Sequence, residues 1–284
     1  MDLQELKTAI TFLDANLFRT LIASAFGTFA GAWLASRAQT KKAIVTELNA
    51  IAAADMLAIQ IANSHLALKR QYVKPIYDEY EQLKNNYESY RKSRATGGAR
   101  VAFSYAAELR SLSPIKTPID ALEKMILDRV AIRGRGLAAV TELADSVDVL
   151  RLVIEGRNRL VEEFQTSDKT SDAKLQMLLG LRTQDGVIDE RFKTNVAALF
   201  AKTDDCIFFA RIFSDDLHRY AKKISKRYRW RYWLNGLSPE QADWTPVATT
   251  GLLPNEADYE PWLKGFKRKK ANWRKIFSKL PPSQ

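Results

Sequence analysis

From Thr20 to Ser36 the chain reads TLIASAFGTFAGAWLAS, seventeen residues without a charge, bounded by Arg19 and Arg37. A helix of this length just covers the apolar core of a bilayer when arginines at its two ends reach outward to the headgroups. The stretch is rich in small residues, with five Ala, two Gly, two Ser and two Thr. Leu21, Ile22, Phe26, Phe29, Trp33 and Leu34 therefore supply most of the transfer energy. Three readings compete. A secretory signal peptide opens on a basic region, whereas the leader here carries Asp2, Glu5 and Asp14. A packed core helix is the stronger competitor, because seventeen residues lies at the lower edge of the spanning range. The transmembrane anchor is the leading expectation.

Arg37, Lys41 and Lys42 follow the segment directly, while Lys7 and Arg19 precede it. A large basic body after the anchor is costly to translocate, so the expected orientation is a short N-terminus outside and a cytoplasmic C-terminal body. The expected location is a bacterial inner membrane, crossed once. Inside the segment Ala23, Gly27, Gly31 and Ala35 recur every four residues and form one smooth helix face. Such a face lets two backbones approach, which makes it a candidate for self-association.

The chain of 284 residues has a single cysteine, Cys206, which excludes an intrachain disulfide. His65 and His218 stand apart without Cys or carboxylate clusters at ligand spacing, so no metal or other cofactor is expected. The net charge of +11 is concentrated at the C-terminal end. From Arg219 onward there are fifteen Lys/Arg against five Asp/Glu, together with five of the six tryptophans.

Hydrophobic periodicity is helical throughout, with no alternating strand pattern and no fixed repeat. Leu3, Leu6, Ile10 and Leu13 suggest a short amphipathic leader helix over 2–14. Ile44, Leu48, Ile51, Ile59 and Leu66 continue a helix beyond the anchor, and Pro75 is expected to kink or interrupt it. Tyr77, Tyr80, Tyr87 and Tyr90 then form a stripe that reads as a packing seam. Thr117-Pro118 with Asp120 predicts a capped start to a long helix lasting to about residue 166, weakened by Gly134, Gly136 and Gly156. A short helix from Ser171, a turn at Thr183–Gly186 and a long helix from Asp189 to about Arg229 follow. A last helix is expected from Asp258 to Lys279. The predicted fold is all-α. A leader (1–19) and a transmembrane helix (20–36) precede an antiparallel bundle of long helices (37–233), followed by an irregular basic and aromatic region with a final helix (234–284).

The stretches RQYVKPIYDEYE (70–81), KTPIDALEKM (116–125), TDDCIFFARIFSDDL (203–217) and GLLPNEADYEPWL (251–263) carry a resemblance over most of the chain after the anchor. They are similar to a family of bacterial membrane-anchored helical proteins without an assigned function. The resemblance implies an all-helical, membrane-anchored bacterial protein and transfers no site.

Catalytic motifs are absent from the pattern. Asp204-Asp205 and Asp215-Asp216 lie three helical turns apart, too far for a shared metal or glycosidase pair, and are expected to be helix-surface charge. Arg133-Gly-Arg-Gly136 lacks the glycine spacing and the Lys-Ser/Thr of a phosphate loop. The basic end is different. RYAKKISKRYRWRYW (219–233) and WLKGFKRKKANWRKIFSKL (262–280) interleave cations with aromatics. The candidate cations are Lys222, Lys223, Lys226, Arg227, Arg229 and Arg231, then Lys267, Arg268, Lys269, Lys270, Arg274 and Lys275. The candidate interfacial aromatics are Trp230, Trp233, Trp262 and Trp273. This composition suits an anionic membrane surface, with nucleic acid or an acidic protein as second choices.

The leading functional expectation is a non-enzymatic, membrane-anchored protein that assembles with itself or a protein partner. An oligomerising membrane effector of a bacterial stress or antiphage system, and a tethered nucleic-acid binder, remain open beside it.

Overall fold

The computed structural model describes residues 3–95, 103–105, 109–183, 186–232 and 240–266, with side chains from Arg19 onward except those of Ile22 and Ala95. The described residues are mostly helical, and their one β feature is an isolated antiparallel bridge between Arg182 and Ile188. Helix α1 (Leu3–Leu68) runs without a break through the leader, the uncharged segment and the first stretch of the body. A π-turn (Lys69–Val73) joins it to α2 (Lys74–Ala95). Pro75 therefore does not end the helix. Its missing N–H would leave a carbonyl one turn back without a donor, and the widened turn, in which the Lys74 N–H reaches the Lys69 carbonyl, absorbs the mismatch.

The predicted helix over 117–166 is two helices, α3 (Ile119–Arg129) and α4 (Arg135–Thr166). The break falls at Gly134, whose φ of +66° suits glycine and strains other residues. Gly136 follows because space demands it, since a Cβ there would lie 2.4 Å from the Ile132 Cδ1. Thr117 does not cap α3; Pro118 holds the cap position and no side chain accepts from the first turn. Helix α5 (Ser171–Leu179) is capped by Thr170 and closed by left-handed Gly180. Helix α6 (Arg191–Tyr232) is followed by α7 (Thr245–Ala248), a 3₁₀ turn (Glu256–Tyr259) and α8 (Glu260–Gly265).

Helix α6 is the axis of the body and runs antiparallel to both α1 and α4. Against α1, Tyr220 donates to Glu47 (2.8 Å), Ser214 donates to Asp55 (2.5 Å) and Lys69 pairs with Asp204. Against α4, Arg135 donates twice to Asp216 (2.9 and 2.6 Å), Asn195 donates to the Val153 carbonyl (2.9 Å) and Phe192 meets Phe164 edge-on. Ile51, Leu122, Leu143, Leu199, Phe208 and Phe213 fill the core between these helices. Fully buried Arg157 lies over the Phe192 ring at 5.5 Å. The tyrosine seam forms, with Tyr77 on Phe200 (4.4 Å) and both Tyr87 and Tyr90 on Phe103.

The segment 240–266 packs on the body. Leu252 joins Leu66 and Ile207, and Tyr259 stacks on Phe208 at 3.7 Å. The two aspartate pairs are not solvated surface charge. Asp204 meets Lys69, Asp205 accepts from Lys202 and from the Tyr259 hydroxyl, and Asp216 holds Arg135. Each fastens another element to α6.

Candidate membrane-proximal interface

The uncharged segment leaves the body uncovered. Phe26 and Phe29 are each 72 % exposed, Leu21, Trp33 and Leu34 more than half exposed, and among the described side chains of α1 the first buried one is Ile44. A contiguous apolar surface of this kind marks a site that another apolar phase or partner covers. Ala23, Gly27, Gly31 and Ala35 lie on it, and nothing stands within 4 Å of a Cβ built on Gly27 or Gly31. The hydroxyl of Thr28 donates to the Ser24 carbonyl at 2.8 Å, which satisfies it within the helix as an apolar surrounding requires.

Among the described residues one helix is long and apolar enough to cross a membrane, with a mean hydropathy of 1.4 over an 18-residue window. That window is 44 % buried, whereas no described side chain from Thr20 to Ser36 is buried, so the window lies on the part of α1 that packs in the body and not on the uncharged segment. The uncharged segment Thr20–Ser36 is a separate, uncovered stretch of α1 and spans about 27 Å between Arg19 and Arg37 at 1.5 Å per residue.

Where this segment meets the body, α6 ends. Arg37 donates to the carbonyl of Arg231 at 2.6 Å, placing a cation on a helix C-terminus, where the peptide dipoles favour it. The same guanidinium lies 5.4 Å from the Trp33 ring and 6.0 Å from that of Tyr232. Ala221, Ile224 and Tyr232 face inward, so Lys222, Lys223, Lys226, Arg227, Arg229 and Arg231 are turned outward and exposed. Antiparallel pairing sets these cations beside Lys41 and Lys42 of α1. Trp230, at the same level, is 91 % exposed. The structure thus brings three sequence-separated features to one end of the body: the root of the uncharged segment, a collar of cations spread over about 14 Å of α6, and an uncovered indole.

Glu47 organises the base of this collar and was not visible as a functional residue in the sequence. Its carboxylate accepts from the Tyr220 hydroxyl and from the Ala131 N–H (3.0 Å), tying α6 and the α3–α4 break to α1. Burial first, then the hydrogen bond to Glu47 and its charge, push the Tyr220 phenol well above its ordinary range. Elsewhere, burial raises Asp55 and Asp204 and lowers His65, while Cys206 is buried and its thiol is pushed up, the opposite of an activated nucleophile.

The described start of the second basic stretch, 262–266, is not beside the first. Trp262 packs half-buried on Phe209 at 5.1 Å, twenty-two residues of α6, or about 33 Å, from Arg231. Its indole belongs to the packing of the body there and not to the collar. Lys267, Arg268, Lys269, Lys270, Arg274, Lys275, Trp233 and Trp273 lie outside the described residues. Among the described residues no group of three His, Cys, Asp or Glu side chains converges as metal ligands would. No protein-family model, curated protein or solved structure matches the chain.

Proposed function

We propose that the chain is a non-enzymatic, membrane-anchored assembly protein whose helical body stands on the cytoplasmic face of a bacterial inner membrane. The observation that carries this reading is the junction at Arg37. An uncovered apolar helix emerges from the body at the end where the cations of α6 and an exposed tryptophan gather. In an anionic leaflet the apolar helix enters the hydrocarbon, the cations meet lipid phosphates and Trp230 takes the interfacial position that indoles favour. Docking of α6 on α1 at this point leaves no loose tether between anchor and body. The small-residue face of Ala23, Gly27, Gly31 and Ala35 then serves self-association within the bilayer.

The test is fractionation and reconstitution of the full-length protein. Wild type should stay with membranes through carbonate washing, and a C-terminal tag should be reached by protease only from the cytoplasmic side. In vesicles, Trp230 emission should shift to the blue with anionic lipid and stay unshifted with neutral lipid. Neutralising Lys222, Lys223, Lys226 and Arg227 to Gln should abolish that difference, since each cation near the surface contributes roughly 1 kcal/mol. Release by salt alone would sink the anchor. Stripping of the collar from vesicles by single-stranded nucleic acid would favour the tethered nucleic-acid reading.

A further inference from the structure

Between α4 and α6, beside α5 and residues 187–190, lies an open groove of about 1540 Å³, larger than the sites that small ligands occupy. Helix α4 lines it with one apolar stripe, Val149, Leu152, Val153 and Leu160, and α6 with Thr194, Asn195 and Ala198. Leu152 is 58 % exposed, and Val187 and Ile188 on the border are 61 % and 54 % exposed. Apolar surface left open in this way marks a place that another element covers. Gly156 and Ala198 put small residues where α4 and α6 run side by side, which leaves room for the ridge of a further helix. Five carboxylates and three cations stand around the groove, a balance that favours a basic occupant over an acidic one.

The chain itself leads to this groove. On α6, Asn195, Ala198, Lys202, Asp205 and Phe209 follow at spacings of three and four, so they share one side of the helix. The first two line the groove. The last two carry the end of the segment 240–266, where the Tyr259 hydroxyl donates to Asp205 at 2.9 Å and Trp262 lies on Phe209 at 5.1 Å. Phe266 is 4.8 Å from the Trp262 ring. Measured along α6 from Phe209, the groove begins at Ala198 after about 16 Å, whereas Arg231 at the root of the uncharged segment is about 33 Å away in the other direction. The seven residues from Phe266 to Trp273 reach up to about 24 Å. Trp273, Ile276, Phe277 and Leu280 then fall at i, i+3, i+4 and i+7, the spacing by which an amphipathic helix seats its apolar face in a groove.

We propose that this groove is the docking site of the chain's own segment 271–280. Lying there as a helix, the segment covers Leu152, Val187 and Ile188 with Trp273, Ile276, Phe277 and Leu280, and turns Arg274, Lys275 and Lys279 to the rim and the solvent. The tether through Trp262 makes the contact intramolecular, so a modest interface is enough to keep the groove occupied. The assignment is independent of the membrane reading, since the groove and α8 both belong to the body.

Cross-linking of the full-length protein tests this. Leu152→Cys and Ile276→Cys are introduced together, in nanodiscs of neutral lipid, and treated with a short bismaleimide; the native Cys206 is buried. The pair should join within one chain, at least tenfold faster than Ile276→Cys with Leu127→Cys, whose leucine is 74 % exposed on α3. Adding Trp273→Ser with Phe277→Ser to the first pair should slow it to the rate of the second. Both leucines are exposed, so the fold tolerates their replacement, and no variant alters the uncharged segment, so failure here leaves the anchor reading untouched. Equal rates for the two pairs, a rate that the serine changes leave alone, or cross-links only between copies would each overturn the proposal.

Discussion

Lys69 and Asp204 form an ion pair inside the body, with the lysine side chain 3 % and the aspartate side chain 15 % exposed. The π-turn ahead of Pro75 carries Lys69, whose ammonium also donates to the Leu252 carbonyl at 3.0 Å and lies 4.7 Å from the Phe200 ring. A single lysine therefore joins α1, α6 and the segment after α7.

Lys69→Met should be strongly destabilising, because it strands a buried carboxylate and a carbonyl together. Breaking one side of such a pair costs about 3–5 kcal/mol when burial is complete, and the partial exposure of Asp204 puts the expectation near the lower figure. Lys69→Met with Asp204→Leu should recover much of the loss, since the stranded charge is then gone. Denaturant unfolding of both variants checks the sign, and limited proteolysis should show cleavage within 240–255 in the single variant first.

Phe26→Arg addresses the anchor. Placed in the middle of the uncharged segment, the charge costs about 2.5–3.5 kcal/mol on the insertion scale, enough to cancel a borderline span. The variant should appear in the soluble fraction after carbonate washing with its helical content unchanged, because Phe26 is 72 % exposed. Retention in the membrane would mean that the segment does not cross it.

The helices were legible because their apolar spacing matched the faces that became buried. Phe192, Val196, Leu199 and Leu217 are all core residues of α6, as their period suggested. The break at Gly134 was less legible, because periodicity carries on across it and only the backbone angle requires the stop. The aspartate pairs misled for a related reason. Charges look solvated in a sequence until the partners, Lys69 at distance 135 and Arg135 at distance 81, are brought to them. The tryptophans of the basic region were read together, whereas the fold separates two of them: α6 carries Trp230 to the root of the uncharged segment and Trp262 packs on Phe209. Antiparallel docking of α6 on α1 creates the collar, and no local pattern encodes that register.

His65 gives the stability of the body a pH dependence. Burial lowers its pKa below the ordinary value near 6.5, so in the acidic window just below that value the unfolded chain binds a proton that the folded chain does not. Its contribution is full above the unfolded value. It falls by about 1.4 kcal/mol for each further unit of pH until the folded imidazole titrates. His65→Gln should flatten this part of the profile while leaving the carboxylate-dependent region in place. Unfolding midpoints at pH 7 and 5.5 for both proteins make the comparison, and parallel profiles would show that His65 is not the group responsible.

Self-association within the membrane is the step most open to direct test. Gly27 and Gly31 face open space, so replacing both by Ile meets no clash inside the protomer and adds apolar surface. Insertion should therefore be kept or strengthened. If two copies meet through Ala23, Gly27, Gly31 and Ala35, the branched side chains hold their backbones apart and remove the close packing that drives association of small-residue faces. Cross-linking of the full-length protein in membranes should then lose its dimer and higher bands, while Phe26→Leu with Phe29→Leu, on the opposite side of the helix, leaves them intact. An unchanged ladder in the Gly27→Ile, Gly31→Ile protein would place any assembly on the body instead.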